Sequence, residues 1–412
     1  MGNAKQFLIV GGNFINKGAE AMLKTVRNEI VKRHPDAQVY AICHPEEQQI
    51  ALRQNIQPVF DTRSAGSRKL ASLFSRVFNK VERIFGGEAK PYADYSPMET
   101  IKQLTNLYLA VDVSGFAYGD KRGYIQPLET IKIMDYCKQV GARYIFMPQA
   151  WGDFQHPKVA QNCKTMIQRA DAYFTRDTVS QKYVAALLNK PVDKVPLLPD
   201  IALHFPIPEL DGLTLLKKFG FTPTKGRSAI CLSPNMRVYE RSSGEGLSNG
   251  YIKTFLTIIQ HLQQDYDLIL IPNEIFPPGK DGKDDQFLCK LIFDMAGSKE
   301  HLYCVSGYHS AEEIKSIIRV CSIVVASRFH SLVFALSLGI PSLAISWSHK
   351  YRELFKLFSL EGYVMEDTGL NNEEIILKID ELLHTRTVTS EHILEVLPKL
   401  KNENAPVFDL LN

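Results

Sequence analysis

Short apolar, β-branched runs alternate along the chain with longer stretches whose apolar positions recur every three or four residues. The first kind reads as strand and the second as amphipathic helix. In the first half the pattern predicts strands at Phe7–Val10, Gln38–Cys43, Leu107–Val113, Arg143–Met147 and Ala172–Thr175. Helices are predicted between them at Ala19–Arg33, Pro127–Val140 and Thr178–Leu188. The second half repeats the alternation. Its strands are Ser228–Leu232, Asp267–Ile271, Leu302–Val305, Ser322–Ala326 and Ser342–Ser346. Its helices include Tyr251–Gln263, Asp284–Ala296, Ala311–Ile318, Ser331–Leu338 and Glu373–Leu383. Unbroken apolar strands such as Ile323–Ala326 belong in parallel sheets covered on both faces. The expected fold class is α/β, with two doubly wound, Rossmann-like domains facing a cleft.

The best linker candidate is Lys190–Pro208, which carries Pro191, Pro196, Pro199, Pro206 and Pro208. It divides the 412 residues into an N-terminal domain, 1–200, and a C-terminal domain, 201–390. Residues 391–412 form a tail expected to pack back on the N-terminal domain. Two doubly wound sheets present the carboxyl ends of their strands to the cleft, and ligands bind there.

Composition adds a location for charge. The chain is 45% hydrophobic and 23% charged, which is ordinary for a globular protein, and its formal net charge is +3. Between Arg63 and Arg83 lie six basic residues and one acidic residue, a local +5, so the remainder sums to −2. A neutral body with one basic stripe argues against nucleic acid as a partner. Within the stripe, Leu70, Leu73, Phe74, Val77, Phe78, Val81, Ile84 and Phe85 share one helical face. The helix 66–86 is thus either packed by that face or lies on an anionic membrane surface.

Seven cysteines are scattered singly with no CxxC pair, as expected of reduced thiols. The N-terminus has no signal-peptide pattern, and the longest uncharged stretch, Ser331–Trp347, is interrupted at Gly339-Ile340-Pro341. The expected location is the cytoplasm, with helix 66–86 as the candidate peripheral contact on the inner face of the membrane.

The strongest chemical constellation is Ser327-Arg328-Phe329-His330. It follows a buried strand, and Ser327 is the expected N-cap of the next helix, which Gly339 ends. Arg328 and His330 then fall in a first helical turn, where free N–H groups favour an anion. The guanidinium adds a bidentate fork and the imidazole a titratable proton. Arg237, after the first strand of the second half, and Lys350, after a later one, are further cations for the same cleft. Gly11-Gly12-Asn13-Phe14-Ile15-Asn16-Lys17-Gly18 follows the first strand, but its spacing is not that of a dinucleotide site. No metal site is expected, because no His/Cys cluster or HExxH appears. Asp281, Asp284 and Asp285 read as a solvated acidic loop.

Together these motifs resemble the polysaccharide pyruvyl transferase family, from about Gly11 to Leu354. The pieces are Asn16-Lys17-Gly18-Ala19-Glu20-Ala21, Met147-Pro148-Gln149, Thr175-Arg176-Asp177, Leu198-Pro199-Asp200, Ser327-Arg328-Phe329-His330, Ala335–Pro341 and His349-Lys350-Tyr351. The chain departs from the common pattern at Gly18-Ala19, where many members have Gly-Asp, and at Pro272-Asn273, where many have Pro-His. The resemblance implies a GT-B-like fold, phosphoenolpyruvate as co-substrate with no other cofactor, and a sugar or lipid-linked oligosaccharide as acceptor of a pyruvate ketal. The donor set it implies is Arg237, Ser327, Arg328, Phe329, His330 and Lys350. Acceptor-side candidates are Asn13, Asn16, Lys17, Gly18 and Gln149. His330, as imidazolium, is the expected proton donor beside Arg328, and Glu20 or Asp112 the expected acceptor of hydroxyl protons. Two rivals share the architecture: a nucleotide-sugar glycosyltransferase, whose ribose carboxylate would be Glu312 or Glu353, and a non-catalytic carbohydrate-binding or scaffold protein.

Overall fold

A computed structural model describes residues 4–59, 97–277, 282–367, 369 and 371–412. The helix expected at 66–86 and Asp281 lie outside them.

Two parallel sheets carry the fold. The first has the order β3-β2-β1-β4-β5, from β1 (Gln6–Val10), β2 (Gln38–Ile42), β3 (Gln57–Val59), β4 (Leu107–Asp112) and β5 (Arg143–Phe146). The second has the order β11-β10-β9-β6-β7-β8. Its strands are β6 (Ala229–Ser233), β7 (Asp267–Leu270), β8 (Leu302–Cys304), β9 (Cys321–Ala326), β10 (Ser342–Ser346) and β11 (Val364–Glu366). All pairings within both sheets are parallel. The doubly wound expectation therefore holds. In β6, β7 and β10 every residue is buried, as continuous apolar runs require.

Strand order reverses between β1 and β4 in one sheet and between β6 and β9 in the other. The loops leaving these strands, Gly11–Asn16 and Ser327–Arg328, are thus at the two switch points, where a crevice opens. At Gly11 φ is +80°, and a Cβ there would meet Ser114 Oγ at 2.0 Å, so this loop demands glycine. Asn16 caps the helix Lys17–Arg33 by accepting from the Gly18 and Ala19 N–H groups.

The two halves are hydrogen-bonded at this point. Lys17 N donates to Asn273 O at 3.0 Å, Ile275 N to Ile15 O at 2.9 Å, and Tyr308 Oη to Phe14 O at 3.0 Å. One buried apolar cluster runs through both, joining Met22 and Val26 to Ile314, Leu332 and Phe334.

Several elements differ from expectation. Ala172–Thr175 is not a strand but makes isolated bridges to β5 and Gln149. The helix Pro157–Arg169, with Val159, Cys163, Met166 and Ile167 buried, was not expected, because polar residues fill the rest of its turns. Strands β3 and β11 are three residues each, too short to show a period. The last long helix runs from Asn372 to Glu403, well past Leu383, so position 390 falls inside it rather than at a boundary. Its Thr/Ser-rich middle has low helical propensity, but Thr389, Ile393, Leu397 and Leu400 keep a buried stripe. Beyond it the chain reaches the first sheet: Tyr108 Oη donates to Asn412 O at 2.8 Å, and Arg143 does so at 2.6 Å.

Candidate functional site

β9 ends at Ala326, and the helix Phe329–Ser337 starts after two residues. Arg328, with extended backbone (φ −97°, ψ 118°), occupies the N-cap position in place of Ser327. Ser327 is pulled inward instead. Its carbonyl accepts from Asn235 Nδ2 at 2.9 Å and Tyr351 Oη at 2.6 Å, while its own hydroxyl has no partner. The helix ends at Ser337, and Gly339 follows at φ +75°.

The Arg328 fork is already occupied. Nη2 lies 2.5 Å from Asp285 Oδ1 and Nη1 lies 2.9 Å from Glu274 Oε2, with the side chain buried. Burial opposes its charge, but Asp285 and Glu274 outweigh burial and keep the guanidinium cationic. Glu274 also accepts from Arg237 at 3.1 Å, so the two arginines share one carboxylate. Arg237 is exposed and paired again with Glu240 at 2.9 Å. Neither arginine is the free anion fork expected of it. The acidic loop is also corrected: Asp284 and Asp285 are buried. Asp284 caps the helix Asp285–Met295, and Asp285 accepts from the N–H groups of Met236, Asn273 and Glu274.

A narrow pocket, with room for about one water molecule as the side chains stand, lies where the halves meet. Arg176, Asp177 and Asp200 line it from the first half; Phe329, Lys350 and Glu353 line it from the second. Arg176 Nη1 donates to Asp200 Oδ2 at 2.6 Å, and its guanidinium lies 4.9 Å from the Phe329 ring centroid. The Lys350 ammonium is held by rings alone, 4.6 Å from Trp347 and 5.1 Å from Phe329, and makes no ion pair among the described residues. Burial, then Arg176, Arg328 and Arg122, lower its pKa to about 7 against the pull of Asp200.

His330 faces Asp200 Oδ2 at 3.9 Å, too far for a hydrogen bond, and its Nε2 is buried without a partner. Burial pushes its pKa down to about 3. Asp200 resists, while Arg176, Lys350 and Arg328 add to the depression. Burial thus favours a neutral imidazole here over the expected imidazolium.

The first-helix residues are mostly structural. Lys17 is fully buried; its ammonium donates to Phe14 O at 2.5 Å and to Glu20 Oε2 at 3.0 Å. Glu20 accepts from Lys24 at 2.7 Å, and Lys24 reaches Glu312 of the other half at 2.6 Å. Burial alone would raise the Glu20 pKa, yet Lys17 and Lys24 bring it below its ordinary value. With both oxygens committed and no exposure, Glu20 is out of reach of a substrate hydroxyl, and Lys17 of a sugar. Asp112 is likewise enclosed. It accepts from Tyr118 Oη at 2.6 Å, Tyr144 Oη at 2.9 Å and Ser114 N at 2.9 Å. Burial raises its pKa against these bonds. Asn13 folds its own loop by accepting from Ile15 and Asn16 N–H groups. Gly18 is placed against His330. Gln149 is fully buried with neither side-chain polar atom paired, and its carbonyl accepts from Arg176 N at 3.1 Å.

Arg176 and Asp200 line the pocket, yet in the sequence they stand only within the short motifs Thr175-Arg176-Asp177 and Leu198-Pro199-Asp200. Their available signal was position: each follows directly on a strand-like or proline-bounded turn in the first half. Among the described residues no group of three or more His, Cys, Asp or Glu side chains is arranged to hold a metal. Nor is any helix there long and apolar enough to cross a membrane. The carboxylates that a ribose would need are taken: Glu312 by Lys24, and Glu353 by Thr178 N and Oγ1 at 2.8 and 2.7 Å.

A family model described as polysaccharide pyruvyl transferase matches residues 16–349. A curated relative, the amylovoran biosynthesis protein AmsJ of Erwinia amylovora, is 23% identical over 101 residues, about a quarter (24%) of either chain. Solved structures share the fold at low identity. The UDP-GlcNAc 2-epimerase of Neisseria meningitidis superposes with TM-score 0.53 at 12% identity over 94% of both chains. The spinosyn rhamnosyltransferase SpnG gives 0.53 at 9% identity over 98% of this chain and 99% of its own. A glycosyltransferase from Rickettsia africae gives 0.52 at 8% over 99% of both. The expected two-domain, GT-B-like architecture is thus shared from end to end.

Proposed function

The chain belongs to the polysaccharide pyruvyl transferase family, and from that premise we propose that it moves the pyruvyl group of phosphoenolpyruvate onto two hydroxyls of a sugar in a surface-polysaccharide precursor. The observation that carries this reading is that Arg176 and Lys350 line one interdomain pocket, with the His330 imidazole behind it, 3.9 Å from the Asp200 carboxylate that also lines it. Phosphoenolpyruvate presents a carboxylate and a phosphate on a three-carbon frame. Lys350 supplies a cation unpaired among the described residues and Arg176 one it shares with Asp200 through Nη1, while Arg328, locked to Asp285 and Glu274, fixes the helix turn that carries Phe329 and His330.

The donor itself supplies what His330 lacks. A trianion seated between Arg176 and Lys350 sets negative charge beside the imidazole, which offsets the neighbouring cations and opposes burial, the main cause of the lowered pKa, and so favours a proton on the ring as the donor binds. His330 then protonates the methylene carbon, and positive charge develops on the carbon bearing the phosphate. One sugar hydroxyl adds there and loses its proton. The C–O bond to phosphate breaks, and the second hydroxyl closes the ring and loses its proton. One proton stays in the new methyl group and the other leaves with hydrogen phosphate, so the exchange balances. General acid help of this kind is worth roughly 10²–10⁴-fold.

The segment 66–86 fits the same reading. An interfacial helix would hold the enzyme beside a lipid-linked acceptor, and vesicle co-sedimentation with Arg76, Lys80 and Arg83 reversed to Glu tests it. The transfer itself is tested by incubating the protein with phosphoenolpyruvate and galactosyl or mannosaminyl acceptors, with a UDP-sugar donor in parallel. Phosphate release with a pyruvate-sized mass gain is expected. Sugar transfer from the UDP donor with phosphoenolpyruvate untouched would overturn the proposal in favour of a glycosyltransferase.

A further inference from the structure

A second polar pocket lies beside the first helix, between the two halves and apart from the donor pocket. It has a cavity volume of about 130 Å³ and a mostly polar lining. Arg27 projects from the helix Lys17–Arg33 and Arg53 from the end of the helix Gln48–Arg53; Lys24 lies deeper, and Glu312 closes the pocket from the other half. The side-chain amides of Asn28 and Gln54 lie among them.

The charge here is unbalanced. Lys24 is matched by Glu20 and Glu312. Arg27 and Arg53 take part in no ion pair among the described residues. Among the described residues Arg27 bonds only the Asn28 side chain, at 3.1 Å, and its enclosed Nε meets no acceptor. A buried guanidinium N–H left unpaired is costly, and it points to an acceptor that fills the pocket. Arg27, half-buried, and Arg53, exposed at the rim, both line this polar cavity, and two guanidinium groups suit the oxygens of a phosphate group better than a single carboxylate.

We propose that this interdomain pocket is a second anion site, which takes a phosphate or diphosphate group between Arg27 and Arg53, with Lys24 beneath. The site is independent of which donor occupies the first pocket. It also lies against the Lys24–Glu312 contact that joins the halves, so a bound anion competes with Glu312 for Lys24.

Inorganic pyrophosphate is the probe, titrated calorimetrically into the full chain carrying Lys350→Gln, which weakens the donor pocket. Binding is expected to persist there. Adding Arg27→Gln and Arg53→Gln should weaken it at least tenfold, with the melting temperature unchanged, because neither arginine is in an ion pair. Adding Glu312→Gln instead should tighten it several-fold, since the pocket loses the one carboxylate that lines it among the described residues. That gain also covers the case in which the arginine variants fail to fold. A methyl diphosphate ester run alongside distinguishes an esterified ligand from a free one; tighter binding of either supports the site. Pyrophosphate affinity that is unmoved by both the arginine and the glutamate changes would overturn the proposal.

Discussion

The imidazole of His330 occupies the space that a Cβ on Gly18 would need: that atom would lie 1.8 Å from the ring's Cγ and Nδ1. Glycine at this position is therefore a requirement of the second half of the protein, imposed on the first helix of the first half. Gly18→Ala is expected to push the ring away from Asp200 and Arg176 and to cut kcat by two orders of magnitude or more. Circular dichroism should be unchanged, because alanine is a good helix former. Steady-state kinetics check this; full activity in Gly18→Ala would mean the ring's position is unimportant.

Removing the ring itself should be as damaging. His330→Ala is expected to abolish turnover while the fold survives, because the neutral ring makes no hydrogen bond that the fold depends on. Phosphoenolpyruvate binding, read by calorimetry, should weaken far less than kcat. Near-wild-type turnover would remove His330 from the chemistry.

Lys350 sets a pH dependence. Its pKa is lowered to about 7, so it is cationic below that pH and neutral above it. The apparent affinity for phosphoenolpyruvate should fall as pH rises from about 6 to about 8. Lys350→Arg should flatten that profile, because a guanidinium stays charged. A wild-type KM that is constant across this window would show that Lys350 is not a donor contact.

Glu20 should report as a structural residue. Glu20→Ala leaves Lys17 with no carboxylate and Lys24 with only Glu312. Breaking a buried pair in this way costs about 3–5 kcal/mol. Urea unfolding should show that loss, while the kcat of the remaining folded protein stays close to wild type. A pure kcat defect at unchanged stability would restore Glu20 as a base.

Lys315 offers the opposite case. It is fully buried, its only hydrogen bond goes to Phe205 O at 2.6 Å, and burial with help from Lys401 lowers its pKa to about 7. The unfolded lysine holds its proton up to about pH 10.4. Between these values the unfolded state binds more protons, so stability rises with pH. Lys315→Met should stabilise the protein by roughly 1–3 kcal/mol at pH 6, after the cost of leaving the Phe205 carbonyl unpaired. The gain should shrink from about pH 7 to pH 10.

The alternation of apolar runs and helical periods was enough to place both sheets, because parallel strands buried on both faces leave an unmistakable signal in β6, β7, β9 and β10. It also put the Gly18 and His330 loops at the carboxyl ends of strands facing a cleft, although strand order, and so the two switch points, came only with the fold. It could not say which charged groups were already spoken for. Arg328 reads as a free fork until Asp285 and Glu274, 43 and 54 residues away in sequence, are seen to fill it. Glu20 reads as a base until Lys17 and Lys24 close on it. Conversely, Arg176 and Asp200 gained importance only when the halves met. Pairing across sequence distance, not element type, is what the linear pattern leaves out.

The ring contact that holds Lys350 has a practical consequence. Trp347 lies between two cations, with Arg241 4.5 Å and Lys350 4.6 Å from its centroid, and the chain has only one other tryptophan, Trp151, sealed in the first-half core. Nearby positive charge shifts and quenches indole emission, so a ligand that draws Lys350 away alters the light from one residue against a constant background. For the donor site proposed at Lys350, this indole would be a gauge of occupancy that needs no label.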